Sequence, residues 1–320
     1  MDALSDVLRA VKLTGAVFLD AEFHDPWCVA ADGALLRQRL PGVEHFVYYH
    51  YLAAGRCHAQ VRGGESALVD AGQIVVFPQG DAHLMASAPE LAPTSIEAVL
   101  ARSAGGALTR LRHGGSGEAT RLVCGFLACD PRLCRPLLAA LPRLMTVRLG
   151  EGAESEWHER SIERSLAEAG AARAGSQALL ARLSELLFVE TLRRYLEGLP
   201  PDQGGWFAGL RDPFVGRGLA LLHRDSAQPW TVERLAREVG CSRSVLAERF
   251  THFIGQSPMR YLARWRLATA AGLLKGGDAR LAQVAQQVGY ESETAFNRAF
   301  KREYGVPPKR WRQHAGAAPR

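Results

Sequence analysis

The chain has 320 residues, 47% of them hydrophobic and 22% charged, which reads as a soluble globular protein; at roughly 100–200 residues per domain, the length predicts two domains. No apolar run approaches the roughly 18 residues of a membrane span, the acid-bearing start MDALSDVLRAVKL has no signal-peptide cleavage site, and six cysteines without a CxxC pair predict a reducing cytosol. The net charge of +6 is segregated: residues 1–210 carry 20 Lys/Arg against 24 Asp/Glu, whereas residues 211–320 carry 19 against 9, so the C-terminal third predicts a polyanionic partner, nucleic acid first.

Residues 15–83 alternate short β-rich runs (AVFLDAEF, HFVYYHYL, CHAQV, QIVVFP) with turn signals such as ADG, PGVE, AAG and DAG. Short strands at that spacing predict an antiparallel sandwich or barrel. Residues 86–120 are rich in Ala, Gly, Ser and Pro and predict a mobile insertion, with SIEAVLARS as one further strand. TRLVCGFLAC at 120–129 then suits a buried strand. Periodicity turns helical over 155–169 and 176–197, and the second helix carries an apolar stripe wider than one neighbour needs. That stripe serves either packing on the sandwich or a helical dimer contact. GLPPDQGG at 198–205 marks a domain boundary.

A repeat occupies the basic third. LAREVGCSRSVLAERF (235–250) aligns with VAQQVGYESETAFNRAF (284–300): Ala236, Val239 and Gly240 match Ala285, Val288 and Gly289, each 49 positions on. After one inserted residue, Ser242, Leu246 and Phe250 match Ser292, Phe296 and Phe300. Each copy reads as a helix, a turn with glycine, a serine N-cap and a second amphipathic helix. Small residues let the helices cross closely, glycine permits positive φ, and the paired apolar residues pin the second helix with its other face outward. That face suits a major groove. Between the copies, PMRYLARWRLATAAGLLK (258–275) predicts one helix opened by Pro258, about 27 Å long at 1.5 Å per residue.

The stretches WTVERLAREVGCSRSVLAERF, GQSPMRYLARWRLATAAGLL and LAQVAQQVGYESETAFNRAFKREYGVPPKRWR resemble the AraC/XylS class of bacterial transcription regulators. GWFAGLRDPFVGRGLALLH (205–223) resembles the segment before the motif in a branch whose N-terminal domain is a cupin. The fold class implied is α+β: a cupin-like antiparallel β-barrel or sandwich (1–150), a helical dimerisation segment (151–200) and an all-α domain (206–320) with helix-turn-helix units near 231–254 and 280–303. The resemblance implies a cytoplasmic homodimer that binds double-stranded promoter DNA, works with RNA polymerase, and answers to a small-molecule effector. No enzymatic activity and no cofactor are expected.

By the same resemblance, bases are read by Arg243, Ser244, Ala247 and Glu248 in the first copy and by Glu293, Thr294, Asn297 and Arg298 in the second. Arg suits guanine, Asn adenine, and Glu the cytosine amino group. The short Ser244 and Ala247 shift the expected specificity towards Arg243 and the second copy. Lys301, Arg302, Lys309, Arg310 and Arg312 are expected on phosphates, which position without specifying.

The segment GQIVVFPQGDAH (72–83) resembles the second cupin motif, and its His83 is expected to face the barrel mouth. In the first motif, counted from Gly42, the two histidine positions fall on Tyr48 and His50, and the glutamate position on Ala54 or Gly55. Tyr48, His50, His83 and Trp27 are the expected effector-pocket residues. Cupin enzymes commonly hold a metal with three His and one Glu. Only His50 and His83 remain, with His45, His58, Cys28 or Cys57 as possible completions, so a metal sensor stays open and a metalloenzyme is disfavoured. A thiol oxidant sensor is the other alternative: Cys124, Cys129 and Cys134 form a Cx4Cx4C run, Cys28 follows an aromatic, and Arg132 and Arg135 flank Cys134. Cys241 is expected to serve packing.

Overall fold

The computed structural model describes residues 3–11, 13–40, 43–101, 109–129, 134, 137–149, 153–170, 174–200, 205–275 and 279–315. Two compact units interleave along the chain. One comprises 13–130 and 141–198, the other 1–12, 131–140 and 199–320. The contiguous division expected from sequence differs in three places. The helices of 151–200 belong to the first unit, while residues 131–140 and α1 (Ala3–Val11) belong to the second, where α1 packs against the helix Val215–Arg224.

The first unit holds β1 (Thr14–His24), β2 (Cys28–Ala31), α2 (Ala34–Arg39), β3 (His45–Ala54), β4 (Arg56–Val61), β5 (Ser66–Asp70), β6 (Gln73–Phe77), β7 (His83–Ala86), β8 (Thr94–Ser95), α3 (Ile96–Leu100), β9 (Thr109–Gly114), β10 (Ala119–Cys129) and β11 (Met145–Arg148). A six-stranded sheet runs β11-β6-β3-β10-β1-β9, and a five-stranded sheet runs β5-β4-β7-β2-β8. The pairings are antiparallel except at two edges, where β9 runs parallel to β1 and β8 parallel to β2. Both edge strands arrive after connections longer than a hairpin turn, which frees their direction. Within the expected extra strand SIEAVLARS, Ile96–Leu100 is instead a helix, because the Ser95 hydroxyl accepts the Ala98 N–H and starts α3. Most of the expected mobile insertion is thus ordered structure, and its residues 102–108 lie outside the described ones.

Side chains alternate across the large sheet, as the strand period demands. From β3, Phe46, Tyr48 and Leu52 enter the core between the sheets with Phe77, Leu122 and Cys124. Tyr49 and Tyr51 are equally buried on the opposite face, which α4 (Ala153–Gly170) and α5 (Ser176–Gly198) cover. There the Tyr49 hydroxyl donates to Ser184 Oγ at 2.6 Å, because Ser184 itself donates to the Leu180 carbonyl at 3.1 Å. A register shift between Val17 and Leu19 rephases β1, so that Leu19, Ala21 and Phe23 all reach the core. The wide stripe of α5 divides in two: Leu180, Leu183, Leu187 and Leu192 are buried, while Leu179 and Leu186 are each 42% exposed.

The second unit continues with α6 (Trp206–Arg211), α7 (Val215–Arg224), α8 (Val232–Val239), α9 (Arg243–Ile254), α10 (Pro258–Lys275), α11 (Leu281–Gln287), α12 (Glu293–Tyr304) and α13 (Pro308–Ala315). The helix α10 has the expected bounds. Its C-terminal half (Leu267, Ala270, Ala271, Leu274) packs with Val284, Ala285, Phe296 and Phe300 of the second copy. No helix among the described residues is long and apolar enough to cross a membrane.

Candidate nucleic-acid interface and ligand pocket

The two copies of the repeat fold alike. The hydroxyls of Ser242 and Ser292 accept the amides of Val245 and Ala295 and so cap α9 and α12. Gly240 and Gly289 both take φ +83°, the left-handed conformation that glycine adopts at little cost. Leu246, Phe250, Phe296 and Phe300 are fully buried. The opposite faces are therefore turned to solvent: Arg243, Ser244 and Glu248 on α9, and Glu293, Thr294 and Arg298 on α12, are exposed, with Ala247 and Asn297 half-buried beside them. Arg243 lies 2.9 Å from Glu233 of α8, and both side chains are mostly exposed, so this pair is weak and leaves the guanidinium available.

Lys301, Arg302, Lys309 and Arg310 are exposed on α12 and α13. Arg312 departs from the phosphate role expected of it: it is half-buried and donates to the Ala279 carbonyl at 2.5 Å, holding α13 to the start of the second copy.

Two further residues escaped the sequence reading. Val245 is 39% exposed on α9, and an apolar group there suits a thymine methyl. The repeat register carries the signal, since 246 and 250 are buried and their neighbour 245 must face out. Asp212 is the other. Its carboxylate accepts the amides of Phe214 and Val215 at 3.0 and 2.9 Å and pairs with the Arg249 guanidinium of α9. Burial raises its carboxyl pKa, but the Arg249 hydrogen bond and the two amides outweigh that and hold it below the ordinary range. One buried side chain thus starts α7 and holds α9.

In the first unit, a cavity of about 60 Å³ lies between the sheets. Tyr48, His50 and His83 line it, together with Leu19, Met85 and Leu122. Trp27 does not line it; the indole stacks on Phe23 with ring centroids 4.4 Å apart, inside the core. His50 from the large sheet meets His83 from the small one, Nε2 to Nε2, at 2.9 Å. Phe77 stacks on the His83 ring at 4.0 Å. Burial, and then His83, hold the His50 pKa well below its ordinary value, while burial lowers that of His83 to about 4. Both rings are neutral near pH 7.

This pair does not fit a metal site. An open catalytic ion takes three protein ligands, and among the described residues no group of three His, Cys, Asp or Glu is placed to hold one. His45, a suggested completion, donates instead to the Pro78 carbonyl at 2.8 Å.

Burial disfavours the thiolate at Cys28, Cys57 and Cys124. Cys28, Cys57, Cys124, Cys129 and Cys134 are all buried. Burial pushes the Cys57 thiol up to about 12 and that of Cys124 further still, opposite to the shift a reactive cysteine needs. Arg132 and Arg135, the expected activators of Cys134, lie outside the described residues. Thiol labelling of the native protein is expected to modify the half-exposed Cys241 first, with Cys57 and Cys124 reacting only on unfolding. Fast native labelling of Cys124 would restore the oxidant-sensor reading.

A cupin family model matches residues 2–197, more than half the chain, and a helix-turn-helix domain model matches residues 235–314. An AraC-like transcription regulator of Streptomyces lividans is 34% identical over 317 residues, covering 98% of this chain and 99% of its own length. The HTH-type transcriptional regulator AlkR of Acinetobacter baylyi is 28% identical over 319 residues, covering 98% of this chain and 100% of its own. A crystal structure of a transcriptional regulator with an AraC-type DNA-binding domain, from Chromobacterium violaceum, is 24% identical with TM-score 0.32; the match covers 34% of this chain and 96% of that one. With two glycine-turned helix pairs facing outward and a cupin domain before them, this chain belongs to the AraC family of DNA-binding transcription regulators with an N-terminal cupin ligand-sensing domain.

Proposed function

We propose that the chain is a cytoplasmic, non-enzymatic homodimer that reads a promoter sequence through α9 and α12 and passes an effector signal from the cavity to RNA polymerase. The observation that carries this reading is the duplicated unit with two outward helix faces in a segment whose charges balance at +10. Arg243, Ser244, Ala247 and Glu248, with Val245 beside them, face bases from the first copy. Glu293, Thr294, Asn297 and Arg298 do so from the second. Lys301, Arg302, Lys309 and Arg310 hold phosphates. The exposed Leu179 and Leu186 of α5 support a helical contact between copies.

The test begins by selecting a preferred duplex from a random pool with the full chain, then measuring affinities at two salt concentrations. Asn297→Ala and Arg298→Ala are each expected to cost ~1–3 kcal/mol on the selected duplex and little on a scrambled one. Lys301→Ala is expected to weaken both duplexes alike and to flatten the salt slope by about one unit. Equal losses on both duplexes for Asn297→Ala and Arg298→Ala refute base reading by α12.

A further inference from the structure

We propose that the cavity takes a neutral, largely apolar small molecule bearing one hydrogen-bond donor, such as an alcohol or phenol, and that Nδ1 of His50 accepts this donor. The inference rests on the reading of the cavity as the effector site and names the chemical class that fits it.

The argument is one of proton positions. His83 Nδ1 lies 2.9 Å from the Asp81 carbonyl oxygen, which only accepts, so Nδ1 carries the ring proton. In the neutral ring, Nε2 of His83 is then a bare lone pair. It must accept from His50 Nε2, 2.9 Å away. His50, also neutral, has spent its one proton there, so its Nδ1 is an acceptor. That atom is buried and has no hydrogen-bond partner among the described residues.

Two more buried atoms of cavity-lining residues are in the same condition: the Tyr48 hydroxyl and Oε1 of Glu97. All three can accept and only the hydroxyl can also donate. A buried acceptor left unmade is costly, and so marks where a donor belongs.

The walls narrow the class further. Leu19, Phe23, Val29, Leu36, Met85 and Leu122 supply apolar surface, against which a sugar's several hydroxyls would go unpaired. Among the described residues no Lys or Arg lines the cavity, so a carboxylate or phosphate finds no counter-charge there. Size agrees. One water needs roughly 10–15 Å³ by this measure, so about 60 Å³ suits several heavy atoms, a single ring or short chain.

The test is calorimetric titration of the full chain with four probes of one shape: p-cresol, toluene, p-toluate and 4-methylbenzylamine. p-Cresol is expected to bind saturably and about five-fold more tightly than toluene, the scale of one net hydrogen bond, while neither ion binds. His50→Phe is expected to shrink the p-cresol preference below two-fold, and Tyr48→Phe to keep most of it. If His50→Phe fails to fold, the four probes on the wild-type chain decide. Met85→Trp, which fills the cavity, is expected to remove binding of both neutral probes.

The proposal is overturned if p-toluate or 4-methylbenzylamine binds as tightly as p-cresol, if toluene equals p-cresol, or if no probe saturates at millimolar concentration on folded protein. Where an ion binds and Met85→Trp abolishes that binding, the cavity remains the effector site and only the ligand class falls. Where Met85→Trp leaves probe binding intact, the cavity reading falls with it.

Discussion

Gly289→Ala is expected to destabilise the helical unit by about 2–5 kcal/mol, well beyond the ~1–2 kcal/mol expected for Gly240→Ala. The two glycines occupy the same place in the repeat and share φ +83°, so an added methyl strains both backbones alike. Their surroundings differ. A Cβ at Gly240 meets nothing within 4 Å, whereas at Gly289 it falls 2.7 Å from both Cα and the carbonyl oxygen of Ala227. That backbone has little freedom to retreat, because Arg266 of α10 donates to the carbonyls on either side, Ser226 and Gln228, each at 2.7 Å. Gly289→Ala must therefore move a loop tethered beside the first helix-turn-helix unit. Urea unfolding of both variants beside wild type checks the difference, and equal losses would show that the loop yields freely.

Asp212→Ala is expected to cost about 2 kcal/mol at neutral pH and to weaken binding to the selected duplex. About half is the lost cap on the amides of Phe214 and Val215. The rest is the pair with Arg249, discounted because the Arg249 side chain is 44% exposed. The pH dependence has a definite sign. The folded-state pKa of Asp212 is depressed, so its contribution is fully present above the unfolded carboxyl value near 3.9 and disappears as pH falls through the lower, folded one. The stability gap between wild type and Asp212→Ala should hold from pH 7 to about pH 5 and close below about pH 4. A gap that widens with acid would mean that the carboxylate is destabilising in the fold.

Legibility in the sequence followed the range of the interactions. Both helix-turn-helix units were readable because capping serines, turn glycines and the spacing of Leu246, Phe250, Phe296 and Phe300 all act within one or two turns. The strands β1, β3, β4, β6 and β10 were readable for the same reason, as short β-rich or apolar runs set off by local turn signals. The parallel edges β8 and β9 were not, since strand direction at an edge depends on partners far along the chain. Motif spacing singled out His50 and His83, which line the cavity, but the hydrogen bond between them joins two sheets and leaves no local trace. Trp27 and Arg312 misled through residue type. An aromatic beside a predicted pocket and a basic residue in a basic tail look functional, yet one stacks on Phe23 and the other holds a carbonyl. The Cx4Cx4C spacing, in turn, carries no trace of the burial of Cys124, Cys129 and Cys134.

The alternation along β3 makes that strand a single wall shared by two rooms. His50 borders the cavity, while its neighbours Tyr49 and Tyr51 face the helices: Tyr49 bonds Ser184 of α5, and Tyr51 lies within electrostatic reach of Glu159 and Glu163 of α4. One peptide unit therefore separates a side chain that would greet a ligand from one that grips the outer layer. The Tyr49–Ser184 hydrogen bond thus ties the strand that carries His50 to the helix bearing Leu179 and Leu186.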